Sequence, residues 1–106
     1  MANDPETNPV PTEDFRINAA VRTILVRFWI DTAKLDHGAI NGVIYLRGRL
    51  VREIIRSNNQ KEEESDTFLI RRLERELKNI RGVRDVVYNL ENLMKARGRW
   101  MPRKTA

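Results

Sequence analysis

The chain has 106 residues, with 20 lysines and arginines against 15 aspartates and glutamates for a formal charge of +5, and no cysteine. That length builds one domain around one modest core, and the missing cysteines exclude disulfides and thiolate metal sites, as suits a reducing compartment. The longest apolar-rich stretch, residues 19–30, is cut by Arg22 and Arg27, so no helix is expected to cross a membrane.

Residues 1–12 are read as a disordered leader, with all three of its prolines before Thr12 and almost no apolar side chains. The opening MANDPETNPVPTED is acidic where a secretory signal is basic and then apolar. The chain is therefore expected to be cytoplasmic, at most peripheral to a membrane. Residues 13–93 are read as the single folded domain and residues 94–106 as a basic tail. The charge is divided accordingly: Asp4, Glu6, Glu13 and Asp14 give −4 over residues 1–14, whereas Lys95, Arg97, Arg99, Arg103 and Lys104 give +5 over residues 95–106.

From an N-cap at Thr12 or Asp14, a helix is predicted to run to about Asp31. Ile17, Val21, Ile24 and Phe28 recur three or four residues apart, and Ala20 and Leu25 widen the stripe. Val26 and Trp29 fall outside it. They imply either a core wide enough to cover them, the favoured reading, or a partner chain, which makes them candidate interface residues in a homo-oligomer.

Asn41-Gly42 is the strongest local signal in the chain. The pair supplies two consecutive residues that tolerate φ > 0, as a two-residue type I′ turn requires. Pairing outward from it sets Ala39 opposite Ile44, His37 opposite Leu46 and Leu35 opposite Gly48 on an apolar face, with Asp36 opposite Arg47 on the other. Gly48 leaves a gap on the apolar face, which predicts a close backbone approach, expected to be that of a covering helix. The outward positions place Tyr45 beside Arg47 and Arg49. The strand is expected to continue from Val51 toward Ile55, and residues 56–65 (RSNNQKEEES) read as an exposed loop.

A second helix is predicted over residues 67–79, capped by Ser65 or Asp66. It carries Leu69, Ile70, Leu73, Leu77 and Ile80 at helical spacing, and Gly82 ends it. Arg71, Arg72, Arg75 and Lys78 occupy the remainder. The following VRDVVYNLENL reads as a third strand with Val86, Tyr88 and Leu90 on one face. The helix, strand, strand, helix, strand order implies an α+β two-layer sandwich, a three-stranded mixed sheet with both helices on one face. The third strand is free to pair in parallel with either arm of the hairpin.

The stretch Gly42-Val43-Ile44-Tyr45-Leu46-Arg47-Gly48, followed after a helix by Ile80-Arg81-Gly82-Val83-Arg84-Asp85-Val86, resembles the BON domain, a bacterial module with glycines at these places; the likeness covers residues 17–90. Gly42, Gly48 and Gly82 are its fold-motif glycines. The resemblance implies an αββαβ fold and a non-catalytic role in binding phospholipid or as an adaptor in envelope assemblies. The anionic phospholipid surface or envelope protein partner it implies would be met by Lys95, Arg97, Arg99, Trp100, Arg103 and Lys104 of the tail, or by Tyr45, Arg47 and Arg49.

Catalysis has no visible machinery. His37 is the single histidine and is predicted on the core side of its strand, with no nucleophile or second acid placed beside it. Glu62, Glu63 and Glu64 lack the spacing of a calcium loop, so no metal and no cofactor are implied. Nucleic acid is the alternative partner, on a KH-like reading of the helix-and-sheet order. The chain has no GxxG clamp, and Tyr45 with Arg47 is a small stacking platform. A ring-building oligomerisation domain of similar topology is the other alternative.

Overall fold

The computed structural model describes residues 11–53 and 66–103. Its elements are α1 (Pro11–Arg27), β1 (Leu35–Ile40), β2 (Val43–Gly48), α2 (Asp66–Lys78), β3 (Asp85–Leu90), β4 (Leu93–Ala96) and β5 (Arg99–Pro102). β1, β2 and β3 form a mixed sheet in that order, β1 antiparallel and β3 parallel to β2. β4 and β5 form a separate antiparallel pair. The α+β sandwich and its order are as the periodicity implies, with a second hairpin added after the third strand.

The first hairpin has the expected register, from Ile40↔Val43 to Leu35↔Gly48. Asn41 and Gly42 sit at φ 52° and 81°, both in the left-handed region of a type I′ turn. Ile44, Leu46, Val86 and Leu90 point from the sheet into one buried cluster with Ile17, Val21, Leu25 and Phe28 of α1 and Leu69, Ile70, Leu73 and Leu77 of α2. Each such side chain contributes roughly 1.5–3 kcal/mol through removal from water. Both helices therefore cover one face of the sheet, and the other face is open.

Several local expectations are corrected. Asp14 does not cap its own helix, which starts at Pro11, inside the stretch read as leader. Its carboxylate instead accepts the backbone N–H groups of Asn41 at 2.9 Å and Gly42 at 3.1 Å. One side chain thus ties the first turn of α1 to the hairpin turn. The far end of α1 stops at Arg27, short of Asp31, because Trp29 turns to φ 59°. Ile30 N–H reaches the carbonyl of Leu25 and Trp29 N–H that of Val26, each at 3.0 Å. These bonds make a Schellman cap with Trp29 in the place glycine usually takes. A bulky residue there costs on the order of 1 kcal/mol.

Gly48 does meet a backbone, but that of the strand entry and not a helix. At φ 125°, a β-carbon on it would run into the carbonyl oxygen of Lys34. Beyond it the strand does not simply continue: Ile30 and Arg52 form an antiparallel bridge, with Asp31 N–H bonded to Val51 O and Glu53 N–H to Trp29 O. Asn92 holds the same segment, its amide accepting from Leu50 N–H at 3.0 Å and donating to Leu50 O at 2.8 Å. α2 ends at Lys78, and Gly82 belongs to the next turn, closed by Val83 N–H on Ile80 O.

The proposed tail is corrected most. Its residues from Met94 to Pro102 form, with Leu93 of the domain, the second hairpin, packed against α2 and β3. The leader up to residue 10, the Ser65 cap, the strand extension at residues 54–55, the loop at 56–65 with Glu62, Glu63 and Glu64, and Lys104 lie outside the described residues, as does the side chain of Thr12.

Candidate functional site

With Leu69, Ile70, Leu73 and Leu77 turned into the core, the 3.6-residue period leaves Thr67, Arg71, Glu74 and Arg75 on the other side of α2. The second hairpin lies along that side. Its turn residues Arg97 and Gly98 sit at φ 53° and 77°, and cross-strand pairing aligns Lys95 with Trp100 and Ala96 with Arg99. Trp100 is only 9% exposed. Its ring meets Tyr88 edge to face with centroids 4.8 Å apart.

Glu74 is the node between the two elements. It accepts from Lys95 Nζ at 2.7 Å and Trp100 Nε1 at 3.1 Å, with Lys78 Nζ at 3.6 Å. Burial alone would raise its carboxyl, but the hydrogen bonds from Lys95 and Trp100, and then the charges of Lys95 and Lys78, hold it below its ordinary range. Under this node Tyr88 keeps a buried hydroxyl without a hydrogen-bond partner among the described residues. Burial, then Glu74 and Asp85, push its ionisation upward, so it stays neutral.

Between α2 and the hairpin lies an open groove of about 580 Å³, lined by Thr67, Arg71, Glu74, Arg75, Gly98, Arg99 and Trp100. Its carboxylate is already shared by two lysines and an indole. Arg71, Arg75 and Arg99 are exposed and make no ion pair among the described residues. Among the described residues the groove therefore offers three forked cationic donors to an anion and no free acid to neutralise them.

The residues read from sequence are distributed unevenly about this groove. Arg99 lines it; Arg97 and Arg103 are exposed beyond its lining. Lys95 is committed to Glu74, and Trp100 packs inward, so neither can serve as the free charge and headgroup-level ring of a tail. Tyr45 and Arg47 face outward from the open side of the sheet, but the depression there also carries Asp36 and Asn89, so it is mixed in sign and not a continuous basic platform. Arg49 is exposed beyond the strand end. Gly42 and Gly82 approach each other at the turn end, where a β-carbon on Gly42 would lie 2.9 Å from Gly82 O. Val26 and Trp29 are 57% and 52% exposed, so no wider core covers them.

Arg71 and Arg75 were not singled out by composition, although their i, i+4 spacing on the polar side of an amphipathic helix is the signal that groups them. His37 points toward α1, its Nδ1–H donating to Asn18 Oδ1 at 2.8 Å. Burial, then the Arg22 guanidinium, keep its imidazole below the ordinary 6.5, against the pull of Asp36. Among the described residues no group of three or more His, Cys, Asp and Glu side chains is placed to hold a metal, and no helix is long and apolar enough to cross a membrane. Comparison with family models, curated proteins and solved structures finds no match to this chain.

Proposed function

We propose that the chain is a BON-like, non-catalytic binding module that associates with anionic phospholipid surfaces through the groove between α2 and the second hairpin. What carries the reading is the gathering of Arg71, Arg75 and Arg99 from two elements around a groove whose own carboxylate is fully engaged. Each cation near an anionic leaflet contributes about 1 kcal/mol, so the three supply about 3 kcal/mol before Arg97 and Arg103 are counted. Their guanidinium forks suit phosphate oxygens. The attraction weakens as salt shortens the Debye length to about 8 Å at physiological ionic strength.

The test is co-sedimentation with phosphatidylcholine vesicles, with and without phosphatidylserine, beside a single-stranded RNA control. Binding to the anionic vesicles alone, lost with Arg71→Glu or Arg99→Glu and weakened by salt, supports the reading. Equal pelleting with neutral vesicles overturns it, and so does retention of RNA in place of vesicles, which moves the module to the nucleic-acid class.

A further inference from the structure

We infer that the outer face of α1 is a docking stripe for an acidic amphipathic helix of a partner protein. Phe15, Ala19, Arg22, Val26 and Trp29 follow one another at intervals of four, three, four and three residues, the spacing of a helix–helix seam. They lie opposite Ile17, Val21, Ile24 and Phe28, which fill the core. Phe15 is 75% exposed, and Val26 and Trp29 are more than half exposed. Ala19 between Phe15 and Val26 leaves a hole of the kind a partner's large side chain enters.

Trp29 extends the row past the last turn of α1. It does so from a left-handed backbone at φ 59° in a cap position that glycine satisfies without strain. A strained backbone that displays a large exposed ring points to a use for the ring, and tryptophan is enriched among the residues that anchor protein contacts.

Charge selects the occupant. Arg22, in the middle of the row, is engaged by no carboxylate among the described residues, whereas Arg16 pairs with Glu13, Arg27 pairs with Glu76 and Asp14 binds the hairpin turn; Glu53 borders the row only at its Trp29 end. A second copy laid antiparallel with Phe15 against Trp29 would set Arg22 against Arg22, a like-charge contact at the centre of the seam. A helix with apolar side chains at seam spacing and carboxylates beside them meets both features. This surface lies on α1 and does not depend on the α2 groove.

The probe is a three-heptad peptide with leucine at the two seam positions and glutamate beside them, titrated calorimetrically into the full chain. Its counterpart carries lysine in place of glutamate. The glutamate peptide should bind at least about tenfold more tightly than the lysine peptide, and Arg22→Glu should reverse the order. Trp29→Gly should fold at least as stably as the parent and yet lose about tenfold or more in affinity for the glutamate peptide. Arg71→Glu and Arg99→Glu should leave the titration unchanged, which keeps this result separate from that of the vesicle experiment. Equal affinity for the two peptides, or no binding of either, overturns the inference. So does a concentration-dependent dimer that Trp29→Gly abolishes, which would make a second copy the occupant, or vesicle binding that needs Trp29 but not Arg22.

Discussion

The two hairpins use the same turn and reach it by different routes. In the first, Asn41 and Gly42 sit at φ 52° and 81°; in the second, Arg97 and Gly98 sit at 53° and 77°. Asparagine visits the left-handed region readily, whereas arginine has no local hydrogen bond to offset its steric cost there. The first turn is thus favoured by its own residues and then tied down by Asp14. The second is held from outside, by Trp100 against Tyr88 and by Lys95 and Trp100 on Glu74. Local preference and tertiary anchoring can yield one geometry, but only the first leaves a mark in a short stretch of sequence.

The largest effect should come from removing the anchor of the second hairpin. Trp100→Ala takes away a ring that is 9% exposed and also a donor to Glu74, at a cost of about 3–5 kcal/mol. A urea midpoint close to that of the parent would mean that the hairpin stands without its tryptophan. Truncation after Met94 removes the same ring, so it destabilises the domain and does not cleanly test anion binding; charge-reversing point variants on the groove do.

Next comes Gly48→Val, aimed at the first hairpin where β1 enters. The left-handed φ and the carbonyl of Lys34 both exclude a side chain there, and strain plus overpacking should together cost about 3 kcal/mol. Denaturant unfolding reads this directly. A neutral result would show that the entry strand can move away without penalty.

Smaller changes separate the two routes to the turn. Asn41→Ala should lose about 1 kcal/mol, because alanine resists the left-handed region that Asn41 occupies. Arg97→Asn should gain up to about 1 kcal/mol by relieving the same strain. If both substitutions change stability in the same direction, the contrast between the turns is wrong.

The same contrast explains what the sequence makes legible. The Asn41-Gly42 turn fixes every cross-strand pair of β1 and β2, and the periods of Ile17–Phe28 and Leu69–Leu77 place both helices over one face. The basic run at residues 95–104 concealed a hairpin because Lys95, Arg97 and Arg99 alternate with Ala96, Gly98 and Trp100 over only two short strands. A four-residue strand shows too few repeats of period two to stand out from a charged tail. In sequence Arg99 therefore stands out as charge alone. Its partners Arg71 and Arg75 lie some two dozen residues earlier, and only the packing of the hairpin on α2 brings them together.

Acid should distinguish the hairpins with the smallest but most specific signal, since each rests on a titrating group whose pKa is lowered by folding. His37 of β1 is held below 6.5 by burial and by Arg22, with Asn18 and Asp36 the other polar groups facing it. As pH falls through about 6.5 the unfolded chain takes up a proton that the folded one resists, so stability declines from there until the folded imidazole also titrates. Glu74 behaves with the same sign at a lower pH. Its hydrogen bonds to Lys95 and Trp100 favour the carboxylate over its ordinary 4.5, so that stabilisation is complete above 4.5 and disappears as pH falls through the folded value. Hydrogen exchange followed across this range should show β1 losing protection first and β4–β5 later. His37→Gln should remove the upper step and leave the lower, and Glu74→Gln should do the reverse. Loss of both hairpins in one step below pH 4.5 in the parent would mean that burial of His37 contributes nothing to the acid response, and that the whole domain yields with the Glu74 node.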